Sequence, residues 1–141
     1  MKMLRVCLAP AMAALVASAC SPPPHAAVVK CAGSNVSNYH VEKDCTVTVE
    51  RFDRPTTATI RTDTRKRQAV AAGHFTVDQG TVRIELRSSA GAVAEAVASP
   101  GNPGSVEGRL RLRRQNSGFQ VRFQPEGEVA GLKGSVHFQT R

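Results

Sequence analysis

From about residue 45 onward, hydrophobic and polar residues alternate one by one, the period of a strand with one buried and one wet face. In "CTVTVER", Cys45, Val47 and Val49 fall on one side and Thr46, Thr48 and Glu50 on the other. "TVRIELR" sets Val82, Ile84 and Leu86 against Arg83, Glu85 and Arg87. "VEGRLRLRR" sets Val106, Leu110 and Leu112 against Glu107, Arg109, Arg111 and Arg113. "FQVRFQ" turns Phe119, Val121 and Phe123 inward and Arg122 outward, and "GSVHFQTR" turns Val136 and Phe138 inward and His137 and Gln139 outward. Such alternation predicts antiparallel sheets with one solvated face.

The punctuation agrees. Asp78, Gln79 and Gly80 separate two alternating runs and have the composition of a hairpin loop with Gly in the left-handed position. Gln115 to Gly118 divide "RLRR" from "FQVRF" in the same way, which predicts a second hairpin. Pro125 ends a strand, and the chain turns through Glu126 and Gly127. A loop around Thr64 to Gln68 leads into a strand over Gln68 to Ala72. "AGAVAEAVAS" fits either a short helix, from its alanines, or a strand with Val93, Glu95 and Val97 on one face. "SPGNPGS" is a surface loop. The expected fold is all-β: a small antiparallel β-sandwich, or a barrel-like variant, of seven or eight strands over residues 28–141. The inward residues are mostly β-branched or Leu, which suits a thin layer between two sheets.

The N-terminus has another pattern. Lys2 and Arg5 precede an apolar run, Val6 to Val16, and small residues Ala17, Ser18 and Ala19 precede Cys20. That is the layout of a signal peptide, and the run is shorter than the ~20 residues a membrane-spanning helix needs. "VASAC" resembles the lipobox of bacterial lipoprotein precursors, with Ala17 where Leu is usual. The resemblance covers the first 20 residues and implies removal of 1–19 and lipid attachment at Cys20, with palmitate among the acyl chains. It also implies a cell-envelope location; Ser21 rather than Asp after the cysteine points to the outer membrane rather than the inner. "SPPPHAA" then reads as an extended tether, so residues 20–27 would hold the domain off the membrane.

Cysteine arithmetic follows from that resemblance. Of Cys7, Cys20, Cys31 and Cys45, processing removes the first and lipidates the second. Cys31 and Cys45 remain as an even pair in an oxidising compartment, so a Cys31–Cys45 disulfide is expected. A metal site on Cys31, His40 and Cys45 matches no zinc spacing, and no metal or cofactor is expected.

Charge adds the last element. The chain has 19 Lys and Arg against 11 Asp and Glu, a formal net charge of +8. If "GRLRLRRQNSGFQVRFQ" is a hairpin, Arg109, Arg111, Arg113 and Arg122 share one outward face, and Arg83 and Arg87 extend it from a neighbouring strand. Arg forks suit phosphate and carboxylate groups. Nucleic acid is not the expected partner, because an exported protein does not meet it and six aromatic residues offer few stacking platforms. His74, Asp78 and Ser88 could be drawn as a triad, but no nucleophile elbow or oxyanion-hole glycines accompany them. No phosphate loop, metalloprotease motif or dinucleotide fingerprint occurs, so no enzyme activity is expected.

The expectation is an envelope lipoprotein whose single domain is a non-catalytic binding or structural module. Its partner would be an envelope protein or an anionic envelope polymer, met by Arg83, Arg87, Arg109, Arg111, Arg113 and Arg122. Two other readings stay open: an inhibitor of a hydrolase that projects the "SPGNPGS" loop, or a hydrolase whose site carries no recognised motif.

Overall fold

In a computed structural model, which describes residues 26–36, 40–62, 64, 66–112 and 118–141, alternation becomes eight antiparallel strands. They are β1 (Val28–Val36), β2 (His40–Phe52), β3 (Thr56–Arg61), β4 (Gln68–Thr76), β5 (Gln79–Ser88), β6 (Gly91–Ala98), β7 (Gly104–Arg111) and β8 (Gly118–Thr140). Every inward residue named above is buried, as are all five phenylalanines. Phe52 and Phe75 both meet Phe123 edge-on, with ring centroids 6.4 and 5.3 Å apart, and Phe119 meets Phe138 at 5.5 Å. These rings fill the space between two layers.

One layer has the order β1-β2-β8-β4-β7. The other is β3-β8-β5-β6, so β8 belongs to both. Its first half, from Gly118, pairs with β3 and β5; its second half, to Thr140, pairs with β2 and β4. The chain changes layer around residues 125–131, where Gly127 and Gly131 adopt φ of +85° and +71°. Side chains with a Cβ rarely take that conformation, which is why glycines stand at the corner. On either side of β8, β2 passes into β3 and β4 into β5, and beyond them β6 passes into β7. The result is a jelly roll: a long antiparallel ribbon folded over so that its two halves face each other.

Two expected hairpins are therefore corrected. Gly80 is left-handed as predicted, φ +88°, but the turn at 77–78 carries the chain between layers, and β4 does not pair with β5. Likewise β7 pairs with β4, not with β8. The long β8 explains both: it lies between the strands that the turns were expected to join. Residues around Pro125 do not separate two strands but bend one. The Ala-rich stretch is strand β6, with Val93, Glu95 and Val97 outward and Ala94, Ala96 and Ala98 toward the core. The β5–β6 register slips at Leu86/Arg87, and Val93, in the added residue of the bulge, lies over the side-chain-free Gly108 of β7.

Cys31 and Cys45 form the disulfide, S–S 2.05 Å, as directly opposed residues of β1 and β2. β1 is an edge strand with no partner but β2, so the bridge staples it in place.

Candidate binding surface at the basic pole

Folding the ribbon gathers its connections at two ends, roughly 30 Å apart for strands of nine residues at ~3.3 Å each. One end holds the links 53–55, 77–78 and 99–103 and the β8 corner. The other is where β3, β5 and β7 finish, β4 and β6 begin, and β8 both starts and finishes.

The two ends differ in charge. The corner end carries Glu50, Asp53, Asp78, Glu126 and Glu128 against Arg51, Arg54 and Lys133. Arg51 lies 3.8 Å from Glu128, and Arg54 3.8 Å from Asp53. At the opposite end, Arg61 closes β3, Lys66 and Arg67 precede β4, Arg87 nears the end of β5, Arg109 and Arg111 end β7, and Arg141 follows β8. Among the described residues no carboxylate sits in the links there. Glu42 reaches the level of Arg109 but three strands away, where it is 3.2 Å from His137.

Backbone bonds hold this basic pole together. Leu112 N–H donates to Arg67 O at 2.7 Å, and Arg141 N–H to Gln68 O at 2.8 Å, extending both ladders past the strand ends. Arg111 is the register partner of Gln68. Arg67, Gln68, Arg111 and Leu112 line a cleft of about 500 Å³. Ser89 Oγ donates to Arg111 O at 3.4 Å, tying the β5–β6 turn to the end of β7.

The predicted arginine set is thus split between opposite faces. Arg109 and Arg111 lie on the outer face of the β1-β2-β8-β4-β7 layer; Arg83, Arg87 and Arg122 lie on the outer face of the other. The single stripe is corrected because β7 and the first half of β8 belong to different layers. Arg113 and Cys20 lie outside the described residues. Arg83 and Arg87 are also committed locally. Glu85, outward by alternation yet 6% exposed, accepts from Arg87 Nη1 at 2.9 Å and from Gln124 Nε2 at 3.4 Å, and lies 3.7 Å from Arg83 Nη2. Arg83 also donates to Gln124 Oε1 at 2.6 Å. Arg122 is the register partner of Glu85.

The loop expected before β4 supplies Arg67 to the cleft. Arg61 and Arg141 were not singled out by sequence. Their common signal is position: "TATIR", "IELR", "GRLR" and "FQTR" each carry Arg at the end of an alternating run, and all four ends meet here.

The triad residues are not brought together. His74 lies on β4 with Nδ1 3.0 Å from Ser105 Oγ, whereas Asp78 and Ser88 lie near opposite ends of β5. His137 is clamped on the same layer, Nδ1 2.7 Å from Asp44 Oδ1. The "SPGNPGS" loop is a tight turn at the acidic pole, closed by Ser99 and Asn102 exchanging backbone bonds of 3.0 and 2.8 Å. Among the described residues, no cluster of three His, Cys, Asp or Glu could hold a metal ion, and no helix is long and apolar enough to cross a membrane.

No family model matches the chain, and neither does any curated protein. Among solved structures it is similar to a protein of the disulfide-linked pili of Bacillus endospore appendages, at 20% identity and TM-score 0.44, covering 77% of this chain and 95% of that one. It is also similar to the CBM36-1 domain of a xylanase from the hindgut metagenome of Trinervitermes trinervoides, at 6% identity and TM-score 0.37, covering 78% and 95%. The CBM22-1–GH10 modules of Clostridium thermocellum xylanase 10B match at 9% identity and TM-score 0.39, covering 82% of this chain and 24% of that one. At these scores the likenesses are of all-β architecture and carry no argument about function.

Proposed function

We propose that the protein is a non-catalytic binding module of the bacterial envelope that presents its basic pole to an anionic polymer. The observation that carries this reading is the convergence of Arg61, Lys66, Arg67, Arg109, Arg111 and Arg141 on one end, with no ion pair among the described residues to neutralise them. Fields from clustered like charges add, and they raise both the local concentration of a polyanion and its rate of capture.

The point at which β1 begins supports an anchored orientation. β1 begins at Val28, opposite Thr48, so the chain joins the domain toward the acidic pole. With Cys20 lipidated, the tether would enter at that end. The acidic pole would then lie nearer the membrane, and the basic pole would point outward.

The test is equilibrium binding of the full chain to a soluble polyanion across a salt series. Affinity is expected to fall steeply as salt rises, since bound polymer releases counterions. Joint replacement of Arg67, Arg109 and Arg111 by Gln is expected to weaken it by about thirtyfold, near 2 kcal/mol. Salt-insensitive binding, or an unchanged affinity in that variant, would overturn the reading. For the anchor, Cys20→Ala should abolish palmitate labelling of the expressed precursor and release it from membranes; retained labelling would remove that part of the proposal.

A further inference from the structure

A second cleft of about 330 Å³ opens at the same pole on the β3-β8-β5-β6 layer. Its side is a single row across three neighbouring strands. Thr59 on β3 is the register partner of Gln120 on β8, and Gln120 that of Arg87 on β5. The next outward position on β8 is Gly118, where a Cβ would come within 2.9 Å of Ile60 O, and Ser88 and Ser89 also line the cleft. Phe119, between Gly118 and Gln120, also lines the cleft, but its side chain turns into the core and the residue is 2% exposed, so it offers a sugar no open ring face.

Its chemistry is unlike that of the basic cleft. There is one cation among several neutral hydrogen-bonding groups: the Thr59, Ser88 and Ser89 hydroxyls and the Gln120 carboxamide. Arg87 Nη1 is already given to Glu85, leaving the other guanidinium N–H groups as donors to a ligand. A dianionic phosphate would meet the Glu85 carboxylate just beyond that arginine. A single carboxylate matches the remaining fork, and ring hydroxyls match side chains that both donate and accept. The volume is near the lower end for small-molecule sites, enough for one sugar unit.

We propose that this cleft is a subsite for one carboxylated sugar, a uronic acid unit, of an anionic glycan whose neighbouring units lie along the basic pole. The proposal rests on the basic-pole reading for the rest of the polymer, and the Ser89–Arg111 hydrogen bond makes the two surfaces continuous. Without an aromatic platform a lone uronate binds weakly; the oligomer gains by holding several units at once.

The experiment is calorimetric titration of the full chain with octagalacturonate, with neutral malto-octaose and with a polyphosphate of similar length. The joint Thr59→Val, Gln120→Ala variant removes two exposed groups and leaves Arg87 and the buried Glu85 in place. Losing two hydrogen bonds is expected to weaken octagalacturonate by about tenfold and leave polyphosphate within about twofold. An equal loss for both polyanions, no loss for either, or malto-octaose binding as tightly as octagalacturonate would overturn the subsite while leaving the basic pole standing. If neither polyanion binds the unaltered chain, both readings fall together.

Discussion

The two ends of this jelly roll are built on different terms. At the acidic pole the chain turns in short links, β8 runs through its corner without a break, and carboxylates lie beside arginines. At the basic pole, strand ends bring guanidinium groups together; Arg87 is paired with Glu85, while Arg61, Arg67, Arg109, Arg111 and Arg141 have no ion pair among the described residues, and two clefts open there. Thr62, fully buried on the link from β3, keeps a hydroxyl with no hydrogen-bond partner among the described residues. The acidic pole balances its charge in exposed pairs worth little to stability and turns the chain through left-handed glycines that the corner requires. The basic pole tolerates like-charge repulsion and, among the described residues, an unsatisfied hydroxyl, both of which cost stability; under the proposed function that is the cost a surface kept for a partner would carry.

The comparison can be broken most sharply at the corner. Gly131→Ala would force a Cβ into a positive φ and against the Asp78 side chain. A loss of about 3 kcal/mol is expected, read from the urea midpoint. An unchanged midpoint would mean that the acidic pole is not the rigid end. Joint Cys31→Ala and Cys45→Ala should cost a similar ~3 kcal/mol, because the bridge closes a loop across a separation of 14 residues. Hydrogen exchange should then quicken along β1 and leave β4, paired on both sides, protected.

Smaller effects with the opposite sign are expected at the basic pole. Thr62→Val removes the unpaired hydroxyl and keeps the shape, so a gain of about 1 kcal/mol should appear in the same urea titration. Replacing Arg109 and Arg141 by Gln should raise stability by about 0.5 kcal/mol at low salt, with the gain fading as salt screens the repulsion. A loss of stability in that pair would show the cations to be part of the scaffold rather than a surface for a partner. As the matching control, Asp53→Asn with Glu126→Gln and Glu128→Gln should leave polyanion affinity within about twofold, since the Debye length of ~8 Å is short against the distance between poles.

Much of the core was readable without the structure. Val82, Ile84, Leu86, Phe119, Val121 and Phe123 are buried as their spacing required, since alternation is fixed within each strand. β3 escaped notice although Ala58 and Ile60 alternate with Thr residues in it, because six residues give a weak period. β6 was ambiguous because its inward positions are alanines, which suit a helix as well as a thin edge of the sandwich. Glu85 was read as exposed; neighbours on the same strand and across it cover it, and only pairing could place Gln124 there.

The sequence by itself determined which residues face inward and that the strands are antiparallel and short-linked, because those properties depend on spacing and parity; the pairing of Cys31 with Cys45 followed from the lipobox resemblance, and the fold bears it out by setting the two opposite each other on β1 and β2. Tertiary structure alone decided the pairing. A left-handed glycine turn serves a hairpin and a change of layer equally well, so "VDQG" could not announce that β5 leaves the layer of β4. That one choice separates Arg109 and Arg111 from Arg83 and Arg122. It joins them instead to Arg61, Arg67 and Arg141, residues distant in the chain that share only the end of the ribbon at which their strands stop.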